Sequence, residues 1–241
     1  AILRRILLSA TYRQVSTQSA SAHEIDPDNH LLSHAPRKRL SAEMLRDGVL
    51  FSAGLLVEKI GGPPVKPYQP AGLWQEKSGK VYHPDKGEGL WRRSLYTFWK
   101  RTSPPPSMMI FDAAKRDVCI VKRAATSSPL QALVLWNDPQ YVEAARKLAS
   151  RSMRSGGDAR QIAGQLFRRL TSRVADEEEL AILLQLQQEQ HSAFLAEPEQ
   201  AQALISVGES ALDTDLDPSE LASWTVVSQV MLSFDASLST P

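Results

Sequence analysis

The stretch SSPLQALVLWNDPQYVEAAR, residues 127–146, contains two helix starts in succession. Ser128-Pro129 and Asp138-Pro139 each set a short polar residue before a proline. A side-chain oxygen at such a position accepts a backbone N–H of the first turn. Proline suits the next position, where its missing N–H has no intrahelical partner to lose and its fixed φ is already helical. The same pair recurs at Asp217-Pro218, and Glu220 makes an approximate capping box with Asp217. Asp158 followed by Gln161 caps a helix carrying Ile162, Leu166 and Leu170. Asp176 opens DEEELAILLQLQQEQHSAF, with acids in the first turn where the helix dipole favours them. A last helix near residues 219–234 carries Leu221, Trp224, Val227 and Met231. Residues 129–241 therefore read as helical to the end.

Upstream, residues 1–60 are also read as helical. Ile2, Ile6, Leu7 and Ala10 share one helical face, with Arg4 and Arg5 opposite. A polar loop follows, and then Ser41 caps a helix in which Met44, Leu45, Val49 and Leu55 recur at helical spacing. The middle, residues 61–128, differs. GGPPVKPYQPAGLW (residues 61–74) is too rich in proline to be a continuous helix or a central strand. Its Tyr68, Leu73 and Trp74 are of the kind that dock an extended chain onto a body. LWRRSLYTFWKR (residues 90–101) alternates in part and predicts a short strand, with a helix turn as the alternative, ended by Pro104, Pro105 and Pro106. VCIVKR (residues 118–123) predicts a second. The fold expected is mainly α, a single irregular helical domain with a central Pro/Gly-rich insert containing a short β-hairpin or small sheet.

The chain has 241 residues, 42% of them hydrophobic and 23% charged, enough for a sizeable core under an ordinary surface. It lacks an initiator Met and opens in AILRRILLSATYR, which reads as the inside of a helix cut from a longer polypeptide. Net charge is +1, so overall charge points to no partner. The distribution is uneven. Arg92, Arg93, Lys100, Arg101, Lys115, Arg116, Lys122 and Arg123 face only Asp112 and Asp117 within their stretch, while residues 176–179 and Asp213, Asp215 and Asp217 are acidic. Such asymmetry marks either an anion-binding face or Arg residues that pair with carboxylates elsewhere in the fold. The lone Cys119, flanked by Val118, Ile120 and Val121, is expected to be a buried small hydrophobe. No apolar run is long enough to span a membrane.

Familiar chemistry is missing. No Cys-x-x-Cys-His is present to attach haem, no glycine-rich phosphate loop, no Gly-x-Ser-x-Gly and no His-Glu-x-x-His. His23, His30 and His34 lie near Asp26 and Asp28, but without the spacing of a metal site, and DPDN reads as a turn. No metal or cofactor is assigned to these residues. Asp112, Asp117 and Glu88 are the carboxylates among the central arginines. An Asp beside an Arg is held ionised, which suits an ion pair better than a general acid.

The central zone interleaves Trp91, Tyr96, Phe98 and Trp99 with Arg92, Arg93, Lys100 and Arg101. Aromatic faces with guanidinium forks suit sugars, anionic groups or single-stranded nucleic acid. Nucleic acid is the weakest of these, since the chain is near neutral and carries no nucleic-acid fold signature. The structural alternative is that the aromatics are core and the arginines bond the carbonyls of a segment that cannot form regular ladders.

Seven ordered motifs then carry a resemblance: ATYRQ (10–14), DPDN (26–29), RLSAEMLRD (39–47), GGPPVKPYQPAGLW (61–74), RRSLYTFWKRTSPPP (92–106), FDAAKRDVC (111–119) and TSSPLQALVLWNDPQYVEAAR (126–146). Together they resemble the C-terminal domain of unknown function found in large planctomycete and verrucomicrobial proteins. There it follows a second uncharacterised domain and often a cytochrome-c-like domain. The resemblance implies an exported, multidomain setting with any haem c on another part of the polypeptide, and it supplies no catalytic residue. Ser127-Ser128 departs from the usual Asn-Thr, Trp136 from the usual Leu, and LSFDASLST from the usual acidic ending.

The candidate ligand-binding residues are Arg92, Arg93, Tyr96, Trp99, Arg101, Asp112, Arg116, Asp117, Arg123 and Asn137. Three readings compete. The first is a non-catalytic recognition or scaffold module, holding a carbohydrate, an anionic polymer or the preceding domains of its own polypeptide. The second is an enzyme domain acting on polysaccharide through Asp112, Asp117 or Glu88. The third is a purely structural domain. A site, if present, is expected where the Pro-broken segment meets the SSP and NDP helix starts.

Overall fold

The computed structural model describes residues 2–240. Their contacts gather into two units, Ala1–Arg39 with Ser239–Pro241, and Leu40–Leu238. In the first, α1 (Ile2–Leu8) is followed by α2 (Ala20–Ile25), which Ser19 caps through the Ala22 N–H. The DPDN turn closes on Asp26, whose carboxylate accepts the N–H groups of His30 (2.8 Å) and Leu31 (2.6 Å). These bonds hold the Asp26 carboxyl below its ordinary range. A bridge between Arg39 and Ser239 ties the two ends of this unit together.

The second unit is built around α7 (Pro139–Arg154), which packs on α3 (Ala42–Ala53), α6 (Pro129–Asn137), α8 (Ala159–Thr171) and α11 (Pro218–Leu232). Helices α9 (Glu177–Ala196) and α10 (Pro198–Ile205) flank α11, and α12 (Asp235–Leu238) closes the unit. The helix starts form as the capping signals predict. Asp138, Asp158, Asp176 and Asp217 each accept a first-turn N–H, and Asp158/Gln161 and Asp176/Glu179 form complete capping boxes. Ser128 stands at its N-cap position but makes no side-chain cap bond. Leu148, Leu166, Phe167, Leu183, Leu221, Trp224 and Met231 form the centre of the core. Helix α11 is buried nearly all round, and its hydroxyls remain satisfied there. Thr225 and Ser228 bond back to the carbonyls of Leu221 and Trp224.

The molecule is mainly α, as expected, but the small hairpin or sheet is absent among the described residues. Residues 87–96 hold two 3-10 turns, Gly87–Trp91 and Ser94–Tyr96. Among the described residues their backbone pairs with the segment before them through isolated bridges, Val57 to Arg92 and Val65 to Thr97. The alternation of residues 90–101 does not become a strand because side chains take the backbone groups a neighbouring strand would have taken. Arg46, 2% exposed, donates from Nη1 to the Arg92 carbonyl (2.7 Å), from Nη2 to the Leu90 carbonyl (2.7 Å) and from Nε to Gln140 Oε1 (2.7 Å). Asp47 accepts both the N–H (2.7 Å) and the hydroxyl (2.6 Å) of Ser94. Residues 118–123 pair with no strand either, and Cys119 is exposed rather than buried. No core element covers that stretch, so its apolar composition has nothing to bury against.

Arg92 works in the same manner as Arg46. Its guanidinium donates to the carbonyls of Lys59 (2.9 Å), Gly61 (2.5 Å) and Pro63 (3.3 Å). It also lies 3.9 Å from the centre of the Tyr96 ring, whose hydroxyl accepts the Gly61 N–H. The planar fork can meet several carbonyls at once, which an ammonium cannot. Replacing Arg46 by Met is expected to cost about 3 kcal/mol or more, because Gln140 and two carbonyls lose a buried charged donor. Arg46→Lys should recover little of that loss. Urea denaturation followed by far-UV circular dichroism checks both, with Arg101→Ala on the exposed surface as a near-neutral reference.

Candidate functional site

A groove of about 600 Å³ opens where the Pro-rich segment meets the junction of α6 and α7. One wall is formed by Tyr68, Gln69, Pro70 and Ala71. The other comes from Leu133, Val134, Asn137, Asp138 and Pro139, and Pro106, Ser107 and Ile110 of α5 (Pro106–Ile110) close the end. Each element is there for a local reason. Pro139 follows the Asp138 cap and starts α7 at the groove edge. Pro106 starts α5 in the same way. Prolines 67 and 70 keep the Tyr68 segment extended and unable to fold onto itself.

Tyr68 is locked from behind. Its hydroxyl donates to Glu143 Oε2 (3.3 Å) and accepts the Glu209 N–H (2.9 Å). Glu143 is wholly buried on α7 and also accepts from Trp91 Nε1 (3.0 Å) and the Ser210 N–H (2.6 Å). The backbone passes so close there that a Cβ on Gly208, at φ +93°, would lie 2.5 Å from the Glu143 carboxyl carbon. Only glycine fits that position. Burial pushes the Tyr68 hydroxyl well above its ordinary range, so it stays a neutral donor.

Two of the lining residues carry acceptors, Gln69 and Asp138. Gln69 Oε1 is buried and has no hydrogen-bond partner. It also borders a small cavity of about 10 Å³ behind the groove, shared with Arg46, Thr97, Ser107 and Gln140. Asp138 Oδ1 accepts the Gln140 N–H (3.0 Å), and the carboxylate is also bonded by Ser107. Burial raises the Asp138 carboxyl above the ordinary carboxylate range, more than these bonds and the Arg46 charge lower it. Asn137 commits its Nδ2 to the Leu133 carbonyl (2.8 Å). The groove therefore offers apolar walls and hydrogen-bond acceptors, with one carboxylate among the lining residues.

Of the ten residues singled out from sequence, Asn137 lines this groove. The others lie elsewhere. Arg92 and Tyr96 hold the backbone of residues 59–63. Trp99 donates from Nε1 to the Lys115 carbonyl (2.8 Å), and the Arg116 guanidinium lies 4.6 Å from its ring. Arg93 approaches Asp47 (3.9 Å) and Arg123 pairs with Glu43 (2.7 Å). Asp112 accepts the N–H (2.7 Å) and hydroxyl (2.8 Å) of Thr126, and Arg101, Asp117 and Glu88 are exposed. The acidic loop is met from α7, not from the central arginines: Asp213 binds Lys147 (2.9 Å) and Arg154 (2.8 Å). Gln69, Ser107 and Asp138 were not among the candidates. The Asp138 signal was in the sequence, but as a helix cap, and only the packing of α5 turns that cap into a groove wall.

Among the described residues no helix is long and apolar enough to cross a membrane, and no group of three or more His, Cys, Asp or Glu side chains could hold a metal ion.

The raised carboxyl of Asp138 gives a pH test. Asn caps a helix as well as Asp does but cannot ionise. The native state holds the Asp138 proton to higher pH than the unfolded chain, whose carboxyl has the ordinary value of 3.8. Wild-type stability relative to Asp138→Asn should therefore fall as pH rises from that ordinary value through the raised one, and level off above it. Urea midpoints across the acid range measure this, and Asp138→Ala should lose about 1 kcal/mol more than Asn through the missing cap. Comparison with known proteins returns no match among curated proteins and none among solved structures. One family model matches residues 1–187, about three quarters of the chain, and the chain belongs to that family, PSD1, described as a protein of unknown function (DUF1553).

Proposed function

We propose that this chain is a non-catalytic recognition module and that its ligand lies in the groove between residues 68–71 and the α6–α7 junction. The observation that carries this reading is the pairing of apolar walls with acceptors among the lining residues, one of them, Gln69 Oε1, buried and without a partner. Such a groove favours a neutral ligand that has an apolar face and donates hydrogen bonds, and a sugar ring has both. An anionic polymer suits it less well. No basic side chain stands among its lining residues, and Arg92 is committed to main-chain carbonyls.

The enzyme reading now rests on one feature, the raised carboxyl of Asp138 beside the groove. Glycoside hydrolysis ordinarily uses two carboxyl groups flanking the scissile bond. Among the lining residues Asp138 is the single carboxylate, which supports recognition over hydrolysis. We further infer that the module belongs to an exported, multidomain polypeptide, with any haem carried outside these residues.

Calorimetric titration against neutral and sulfated oligosaccharides tests the reading. A neutral glycan should bind and its sulfated counterpart should bind more weakly. Gln69→Ala should weaken binding by about tenfold, the size expected for one lost buried hydrogen bond. Leu133→Arg, at an exposed wall position, should abolish it without unfolding the chain. Binding that survives both substitutions, or its absence across the whole panel, rules out this assignment.

A further inference from the structure

The run KRDVCIVKR, residues 115–123, plays no part in the groove. Both of its ends are pinned to the body of the unit. At one end Trp99 donates to the Lys115 carbonyl and Arg116 stacks on Trp99. At the other, Arg123 pairs with Glu43, and Asp112 holds both polar groups of Thr126. Between these pins the chain forms neither helix nor strand, and Val118, Ile120 and Val121 are 70%, 50% and 108% exposed. Cys119 is exposed as well. Four consecutive residues of the tip, 118–121, are thus exposed together.

That pattern bears on what could cover it. A partner that adds a strand pairs with backbone and takes alternate side chains into pockets. A groove for an amphipathic helix takes one face. Neither buries four consecutive apolar residues, whereas a fluid apolar medium does. The flanks supply Lys115 and Lys122 beside Asp117, with Arg116 stacked on Trp99 and Arg123 paired with Glu43. Basic flanks around an apolar tip complement an anionic lipid surface, where side chains enter the acyl boundary and cations lie at the headgroups.

We propose that residues 115–123 form a membrane-contact loop that inserts the tip at residues 118–121 into anionic lipid. Burying one branched aliphatic side chain is worth about tenfold in partitioning, and each cation about fivefold at low salt. Flotation of the full chain with phosphatidylglycerol–phosphatidylcholine vesicles should recover it with the lipid. Phosphatidylcholine vesicles alone should bind it at least about tenfold less, and added salt should release it. The double variant I120D/V121D should lose about tenfold or more while keeping its circular dichroism and Tm, since both positions are exposed. K115E/K122E should lose the preference for anionic vesicles. An indole introduced by I120W should shift its emission to the blue on anionic vesicles only. No flotation, flotation unchanged in I120D/V121D, or equal binding to both vesicle types overturns the proposal.

Discussion

The buried guanidinium of Arg46 is the interaction on which the middle of the molecule depends. It stands on α3, reaches Gln140 at the start of α7, and collects the carbonyls of Leu90 and Arg92. A Pro-rich segment without sheet or long helix leaves its backbone acceptors unpaired, and burying them unpaired would be costly. One planar donor set, already desolvated and still charged, satisfies several of them at once. Arg92 then extends the arrangement to Lys59, Gly61 and Pro63. The central segment is therefore ordered by side chains that act as the missing strand.

Helix α7 provides the second anchor. Its buried polar residues do not form a solvated face. Gln140 serves Arg46, Glu143 holds Tyr68, Trp91 and the Ser210 N–H, and Arg146 donates to the carbonyls of Ser210 and Ala211. Lys147 meets Asp213 one step further on. Each of these four side chains has partners, although Arg146 Nε and Ser152 Oγ on the same helix are buried without one, and the bonded stripe specifies the arrangement of loops. The groove follows from this frame. Glu143 locks Tyr68 into one wall, and the α7 cap supplies Asp138 to the other. The Tyr68 wall of the groove is thus held in place by bonds made on its far side.

Much of this was legible in the residues. The caps at Asp138, Asp158, Asp176 and Asp217 act within one turn, so a short window of sequence contains the whole interaction. The prolines of residues 63–70 exclude regular structure through their own φ and missing donors. The reading of central arginines as carbonyl-holders, raised beside the binding reading, describes Arg92 well. The strands expected at residues 90–101 and 118–123 were misjudged for two separate physical reasons. In the first, backbone groups found side-chain partners from α3. In the second, the apolar run found no body to pack against.

The order of helices, their starting points and the irregularity of the middle are thus local properties, because capping bonds and proline geometry operate over a few neighbouring residues. The groove and its chemistry are not. Arg46 meets partners 44 to 94 residues away, and Tyr68 meets Glu143 at a separation of 75. Such contacts depend on how α3, α5, α6 and α7 pack, and no pattern along the chain encodes which cap becomes a cavity wall. Asp138 shows the difference. Its role as a helix start belongs to the NDP motif, while its raised carboxyl arises from burial beside Ser107 and Gln140, which only the packed structure brings about.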